Sequence, residues 1–392
     1  VEAVLISDAM VDTARDVLAN CTAMPRLKAI VTIGPVDALP DWNALCAAQP
    51  NTPIAYEQIG GRMVYSSGTT GRPKGLKFAS ATGSPVQTNM AATMFGKHYN
   101  FDADTVYLSP APLYHSAPMG ITAAMQSIGA TAVVMDKFDP EEFLKAVERY
   151  KVTAVMVVPT MFIRLLGLPD EVRRRYDLSS LKTVIHAAAP CPVPVKHAMI
   201  EWLGPIIEEF YAGSEGNGHV MISSTEWLAR PGSVGRAVVG QLHICDDDGN
   251  ELPVGETGTI YFGGGKPINY HNDPAKSASA CNPKHSNWTT MGDVGHVDSE
   301  GYLFLSDRKD FMIISGGVNI YPQEVENLLI THPAIADAAV FGVPNPAFGE
   351  EVKAVIQLKN PDDASENLAT ELIDWCRERL ADVKCPRSVD FE

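Results

Sequence analysis

Between residues 138 and 211 the sequence repeats one unit: a short apolar run, a turn, then a stretch built for a helix. "FDPEEFLKAVERY" opens with Asp139 as N-cap, Pro140 at the first helical position and Glu142 three residues past the cap. Phe143, Leu144, Val147 and Tyr150 give that helix one apolar face. "VTAVMVV" (152–158) then reads as a buried strand halted by Pro159. "KTVIH" (182–186) runs into "AAAPCP", and "IIEEFY" (206–211) runs into "AGSEG". Strands alternating with helices predict an α/β domain with a parallel sheet. Ligands of such sheets sit beyond the carboxyl ends of the strands, so these loops are expected to share one mouth.

From about residue 233 the texture changes. "GRAVVGQLHICDDDGNELPVGETGTIYF" alternates β-rich runs with turn signals such as Asp248-Gly249, and predicts an antiparallel, β-rich subdomain over about 233–306. A charged cluster within 301–322 ends it. "YPQEVENLLI" then reads as a helix, "IADAAVFGV" and "EEVKAVIQL" as strands, and "LATELIDWCRERLADV" as an amphipathic helix. That is a small α+β unit. The expected division is a core over 1–309 and a second domain over 310–392, with the boundary near Asp310.

Composition narrows the partners. Hydrophobic residues make up 45% and charged residues 20%, enough for a sizeable core. With 31 basic against 47 acidic residues the formal charge is −16, which disfavours nucleic acid and anionic membranes. The seven cysteines form no CxxC pair, so neither a zinc knuckle nor a disulfide framework is indicated, and a reducing cytoplasm fits. No apolar stretch approaches the ~18 residues of a membrane-spanning helix. The chain opens on Val1 without a signal peptide, and is expected to be part of something longer.

"YSSGTTGRPKG" (65–75) has the chemistry of a phosphate site. Ser66, Ser67, Thr69 and Thr70 offer hydroxyl donors. Gly68, Gly71 and Gly75 let backbone approach oxygen closely, while Arg72 and Lys74 add positive charge. It is not a Walker loop. Gly68 and Gly71 are too close, Pro73 precedes Lys74, and Gly75 stands where a Ser or Thr would hold magnesium.

This string resembles the phosphate-binding motif of the adenylate-forming superfamily, which includes acyl-CoA synthetases, peptide-synthetase adenylation domains and firefly luciferase. Further segments resemble that family's motifs in the same order. They are "APLYHSAP" (111–118), "HAAAPCP" (186–192), "YAGSEG" (211–216), "TTMGDVG" (289–295) and "SDRKDFMIISGGVNIYPQEVE" (306–326). The likeness covers roughly residues 60–390. "YAGSEG" departs from the family's Tyr-Gly-x-Thr-Glu at Ala212 and Ser214.

The resemblance implies roles residue by residue. Ser66, Ser67, Gly68, Thr69, Thr70, Gly71 and Lys74 would hold the β- and γ-phosphates of ATP. Ala188, Ala189 and Pro190 would lie against the adenine and Tyr211 flat upon it. Ser214 would donate to the α-phosphate, and Glu215 would hold Mg²⁺ through oxygen. Asp293 would accept from both ribose hydroxyls, Arg308 would touch ribose or phosphates, and His115 would gate or orient the substrate carboxylate. Asp310 would be the hinge of a mobile C-terminal domain. Gly316 and Gly317 would leave room for the pantetheine of CoA.

The implied reaction is attack of a carboxylate on the α-phosphorus, releasing pyrophosphate, then transfer of the acyl group to a thiol with AMP leaving. The family's adenylation lysine lies in a Pro-x-x-x-x-Gly-Lys motif, for which "KCPRSVDFE" ends too early, so this chain is expected to bind nucleotide better than it forms adenylate. No aspartate stands in "PLYHSAP" to pair with a substrate ammonium, which disfavours α-amino acids. The apolar stretch 119–135 allows an aliphatic or aryl tail, or is simply a buried helix and strand. A fatty acid is the first expectation. An aryl acid–CoA ligase, an acyl-AMP ligase loading a carrier protein, a luciferase-like oxygenase and a non-catalytic nucleotide scaffold are the alternatives. A homodimer is compatible with the resemblance.

Overall fold

The computed structural model describes residues 2–12, 15, 26–37, 39–55, 61, 63–66, 74–77, 90–265 and 267–392. The chain packs as two compact units, residues 1–59 with 82–85 and residues 60–81 with 86–392. In the first unit, strands β1 (Ala3–Ser7) and β2 (Ala29–Ile33) pair in parallel from Ala3↔Ala29 to Ser7↔Ile33. A helix over Trp42–Ala47 follows, its N-terminus closed by Asp41, which accepts from Ala44 N at 2.9 Å.

The second unit begins with a hairpin. Strands β3 (Met63–Ser66) and β4 (Lys74–Lys77) run antiparallel and close at the pair Ser66↔Lys74. The phosphate-motif residues between them, Ser67, Gly68, Thr69, Thr70, Gly71, Arg72 and Pro73, lie outside the described residues. So does the side chain of Ser66.

The main sheet follows the repeating unit read from the sequence. Strands β5 (Val106–Ser109), β6 (Thr131–Val134), β7 (Ala154–Val157), β8 (Thr183–His186) and β9 (Ile207–Tyr211) pair in parallel in the order β6-β5-β7-β8-β9. Their side chains alternate between two cores. Val155, Val157 and Val184 pack with Phe143, Leu144, Val147, Phe162 and Met199 of the helices on one face. Ala154, Met156 and Ile185 pack with Phe95, Ile121 and Met125 of the helices on the other. Each fully buried Leu, Val or Phe contributes about 1.5–3 kcal/mol. The stretch 119–135 forms most of helix Ser116–Ser127 and β6, with Ile121, Ala124 and Met125 in the core.

Asp139 caps helix Pro140–Tyr150 as expected, its Oδ1 accepting from Glu141 N and Glu142 N at 3.0 Å. Glu142 does not complete a capping box. Its carboxylate lies 2.7 Å from Lys145 Nζ.

The antiparallel strands are not a separate sheet. Strands β10 (His219–Ser223), β11 (Ser233–Val239), β12 (Gln241–Cys245), β13 (Gly258–Gly263), β14 (Asp293–Val297) and β15 (Leu303–Arg308) extend the same sheet to eleven, in the order β12-β13-β14-β15-β11-β10-β9. The crossover bends at Gly235, whose φ is +106°, and where a Cβ would stand 1.9 Å from the Met221 carbonyl oxygen. Gly235→Ala is therefore expected to lose about 2–3 kcal/mol of stability by urea titration. Gly255→Ala, with φ +89° but open space around it, should lose only about 1 kcal/mol.

The C-terminal residues form their own five-stranded sheet. It comprises β16 (Ile313–Ser315), β17 (Val318–Ile320), β18 (Ile335–Asn345), β19 (Gly349–Leu358) and β20 (Ser388–Phe391). Helices Pro322–Leu329 and Glu366–Arg377 bury Val325, Leu329, Leu372 and Cys376 against it. All four elements expected there are present. Gly316 and Gly317, at φ +57° and +80°, make the two-residue turn between β16 and β17. The turn by itself accounts for both glycines. Asp307 on β15 is joined to helix Pro322–Leu329, its Oδ2 accepting from Gln323 N at 2.9 Å across the Lys309–Phe311 turn that carries Asp310.

Candidate active site

The carboxyl ends of β8 and β9 and the facing ends of β14 and β15 gather most of the residues singled out from the sequence. Asp293 opens β14 directly opposite Arg308 at the end of β15. Arg308 Nε lies 3.3 Å from Asp293 Oδ1, and the Tyr211 hydroxyl donates to Asp293 Oδ2 at 2.6 Å. Strand β9 and the consecutive pair β14–β15, distant from it in sequence, thus meet on one carboxylate. Burial pushes the Asp293 carboxyl above the usual aspartate range, against the pull of Tyr211 and Arg308. Burial, with Asp293 beside it, likewise raises the Tyr211 phenol, which keeps its proton and stays a donor. The Tyr211 ring is held by Phe262, with centroids 6.2 Å apart and planes within 28°. Its expected place flat on an adenine is thus paired with a hydrogen bond that the sequence did not reveal.

Glu215 follows in the turn after β9. The Tyr270 hydroxyl donates to Glu215 Oε1 at 2.9 Å. Desolvation, reinforced by Glu215, raises the Tyr270 phenol, so it too remains a donor. Space here is tight: a Cβ on Gly213 would stand 1.9 Å from Met291 Sδ and 2.6 Å from Glu215 Oε2. Ser214 lies half-buried in the same turn.

Lys74 reaches this group from the hairpin. Strand β4 is clamped to the Tyr270 segment by the bridge Leu76↔Tyr270 and by His271 N donating to Gly75 O at 2.7 Å. That sets Lys74 Nζ 6.0 Å from the centre of the Tyr270 ring. Desolvation lowers the Lys74 ammonium and Lys276 adds to this, while Glu215 and Asp310 oppose them and Arg308 assists slightly. Lys74 therefore feels the charges of Glu215, Arg308 and Asp310. Tyr270 was missed by sequence reasoning. It stands in "NYHN" with no motif around it, and only its pairing with β4 reveals it.

The loop after β8 flanks this cluster from the neighbouring strand. Ala188 holds φ +78°, a conformation disfavoured for a residue with a Cβ and typical of strained functional loops. Ala188 and Ala189 are exposed and Pro190 half-buried. His115 is exposed at the N-cap of helix Ser116–Ser127, its ring 4.5 Å from that of Tyr114. It is not a packed core histidine.

On the other face of β9, Glu208 is driven up to about 7 by burial, with Glu226 adding and Lys196 opposing. The folded state thus holds an extra proton between the ordinary value, 4.5, and about 7. Stability is expected to fall as pH rises through that window, and to be independent of this group below it. Glu208→Gln should flatten the decline in melting temperature between pH 5 and 7.

Adenylate-forming enzymes are the class that this fold and this cluster define, and the chain belongs to them. It matches the AMP-binding enzyme family over residues 4–267 and the AMP-binding enzyme C-terminal domain over residues 324–391. Among curated relatives it is 33% identical to a feruloyl-CoA synthase of an Amycolatopsis species, over 92% of this chain and 70% of that protein. It is 32% identical to the medium/long-chain-fatty-acid–CoA ligase FadD8 of Mycobacterium tuberculosis, over 95% of this chain and 66% of that protein. Among solved structures it resembles the amide bond synthetase McbA of Marinactinospora thermotolerans, with a TM-score of 0.79 and 27% identity, over all of this chain and 76% of that one. No helix among the described residues is long and apolar enough to cross a membrane.

Proposed function

We propose that this protein activates a carboxylic acid with ATP and passes the acyl group to the thiol of CoA. The observation that carries the reading is the convergence of Lys74, Glu215 and the Arg308–Asp310 stretch, from three separated segments, around Tyr270 and the Tyr211–Asp293 hydrogen bond. In the first step a carboxylate oxygen bonds to the α-phosphorus and the bond to pyrophosphate breaks, pyrophosphate taking the electron pair. Two anions must meet, so the work is neutralisation and alignment. Lys74 and the donors of Ser66, Ser67, Gly68, Thr69, Thr70 and Gly71 cradle the outer phosphates, and Ser214 donates to the inner one. Asp293 retains free lone pairs on both oxygens for the ribose hydroxyls. Ala188, Ala189 and Pro190 with Tyr211 border the adenine, and His115 orients the substrate carboxylate. In the second step the thiolate attacks the acyl carbonyl and the bond to AMP breaks.

Glu215 is the residue that would hold Mg²⁺. The donor chemistry fits: a carboxylate oxygen suits a hard cation that takes one or two carboxylates and completes its shell with phosphates and water. Among the described residues no group of three or more His, Cys, Asp or Glu side chains stands together as a complete metal site, so substrate oxygens would supply the rest. When bound, the ion neutralises phosphate charge.

The division at Asp310, between a core over 1–309 and a mobile domain over 310–392, belongs to the same proposal. It is supported by the change of sheet there. Gly316 and Gly317 would border the pantetheine. A reducing cytoplasm is supported by six cysteines free of disulfides among the described residues. The acid is taken as apolar, aliphatic before aryl, since the relatives include ligases named for both. The acceptor has one competing reading, because a structurally similar enzyme is named an amide bond synthetase.

ATP–pyrophosphate exchange on the full-length protein, run across aliphatic, aryl and amino acids, tests the proposal. Exchange that depends on an apolar acid is expected. ADP release, or exchange indifferent to every acid, overturns it. Adding CoA or an amine to the acyl-adenylate then separates the two acceptors.

A further inference from the structure

Beneath the loops that follow β8 and β9 lies a charge cluster with no part in the chemistry above. Lys196 and His186 are fully buried and Glu209 nearly so. Lys196 Nζ donates to Glu209 Oε2 at 2.5 Å, and His186 Nε2 lies 3.4 Å from the same oxygen. The Lys196 ammonium also sits 4.9 Å from the centre of the Trp227 ring. Neither nitrogen of His186 has a hydrogen-bond partner among the described residues. Burial, with Lys196 adding, holds that imidazole well below its ordinary range, so it packs as a neutral ring.

Stability does not explain such a cluster, because well-packed apolar side chains usually serve at least as well as a buried ion pair. Its placement does. His186 ends β8 and leads directly into Ala187–Ala188–Ala189–Pro190. Lys196 lies in the first turn of helix Val193–Leu203, where that loop ends. Glu209 lies on β9, two residues ahead of Tyr211. The pair therefore ties the far end of the 187–192 loop to the strand that carries Tyr211. Ala188, at φ +78°, keeps a disfavoured conformation only while both ends of its loop are held.

We propose that the Lys196–Glu209 pair, packed against His186, is a positioning device that fixes the 187–192 loop against Tyr211 to receive the adenine of ATP. The inference rests on the nucleotide reading of the preceding section. Lys196 and Glu209 are positioning residues under it, since neither reaches the ligand.

Calorimetry with AMP and with inorganic tripolyphosphate, alongside thermal melts, tests it. Lys196→Met combined with Glu209→Met keeps side-chain volume and removes both charges. This variant is expected to melt close to the wild type, yet to bind AMP about tenfold more weakly. Glu209→Gln, which keeps shape and hydrogen-bonding capacity, should lose about threefold or more in AMP affinity. Tripolyphosphate, which has no adenine, should bind all variants alike. Unchanged AMP affinity in both variants overturns the proposal, and so does an equal loss for AMP and tripolyphosphate. If the double variant fails to fold, Glu209→Gln decides alone. A wild type that binds no AMP would count instead against the nucleotide reading itself.

Discussion

Replacing Glu215 by alanine is expected to lower acid-dependent pyrophosphate exchange by about 100-fold or more, equivalent to ~3 kcal/mol in the barrier. The size follows from where the carboxylate stands. Tyr270 fixes one of its oxygens at 2.9 Å, and the tight fit of Gly213 beside Met291 holds the turn that presents it. Removing the side chain takes away the single carboxylate assigned to the metal and a charge that Lys74 feels. Folding should survive, because Glu215 is half-buried in a turn and its loss removes one hydrogen bond, from Tyr270, without opening a core cluster. Tyr270→Phe should fall between, losing about tenfold, since the oxygen is then aimed by packing alone. Initial exchange rates at saturating ATP, with Mg²⁺ varied, check both. A Glu215→Ala protein within threefold of the wild type, with unchanged Mg²⁺ dependence, would remove Glu215 from the mechanism.

Replacing Asp293 by alanine is expected to weaken nucleotide binding by about 10- to 100-fold, ~1.4–2.8 kcal/mol. Here the loss is in affinity more than in turnover, because the ribose is remote from the bond that breaks. The substitution also strands the Tyr211 hydroxyl and the Arg308 guanidinium, whose described partner is this carboxylate. Asp293→Asn keeps an acceptor and should recover part of the binding. Because burial raises the Asp293 carboxyl, its charge is lost at a higher pH than an ordinary aspartate's. Wild-type nucleotide affinity should therefore begin to fall on mild acidification, while the Asp293→Asn variant shows no such step. Calorimetric titration with AMP between pH 4.5 and 7 reads both effects.

The parallel half of the sheet was legible because its strands are buried on both faces. Continuous apolar runs such as "VTAVMVV" have no other use between capped helices. Its continuity with the antiparallel half was not legible, because hydrogen bonding between β9 and β10, and on to β11, leaves no mark on composition. Asp293, Tyr211, Glu215 and Arg308 could be named because each stands in a contiguous motif. Their partners could not. Tyr270 reaches Glu215 only through the pairing of β4 with its segment. Lys196 looks like a solvent-facing lysine on an apolar helix, and its burial against Glu209 arises only when that helix folds over β9. The phosphate-motif donors 67–71 remain a sequence reading, since they lie outside the described residues.

The cluster around Tyr211, Glu215 and Asp293 is expected to receive an acyl-adenylate. A crystal structure with a non-hydrolysable acyl-AMP analogue tests it most directly. The ribose is expected on Asp293, the adenine between the 188–190 loop and Tyr211, and the phosphate facing Ser214 and Lys74. An analogue bound elsewhere, with Asp293 still engaged only by Tyr211 and Arg308, would contradict it.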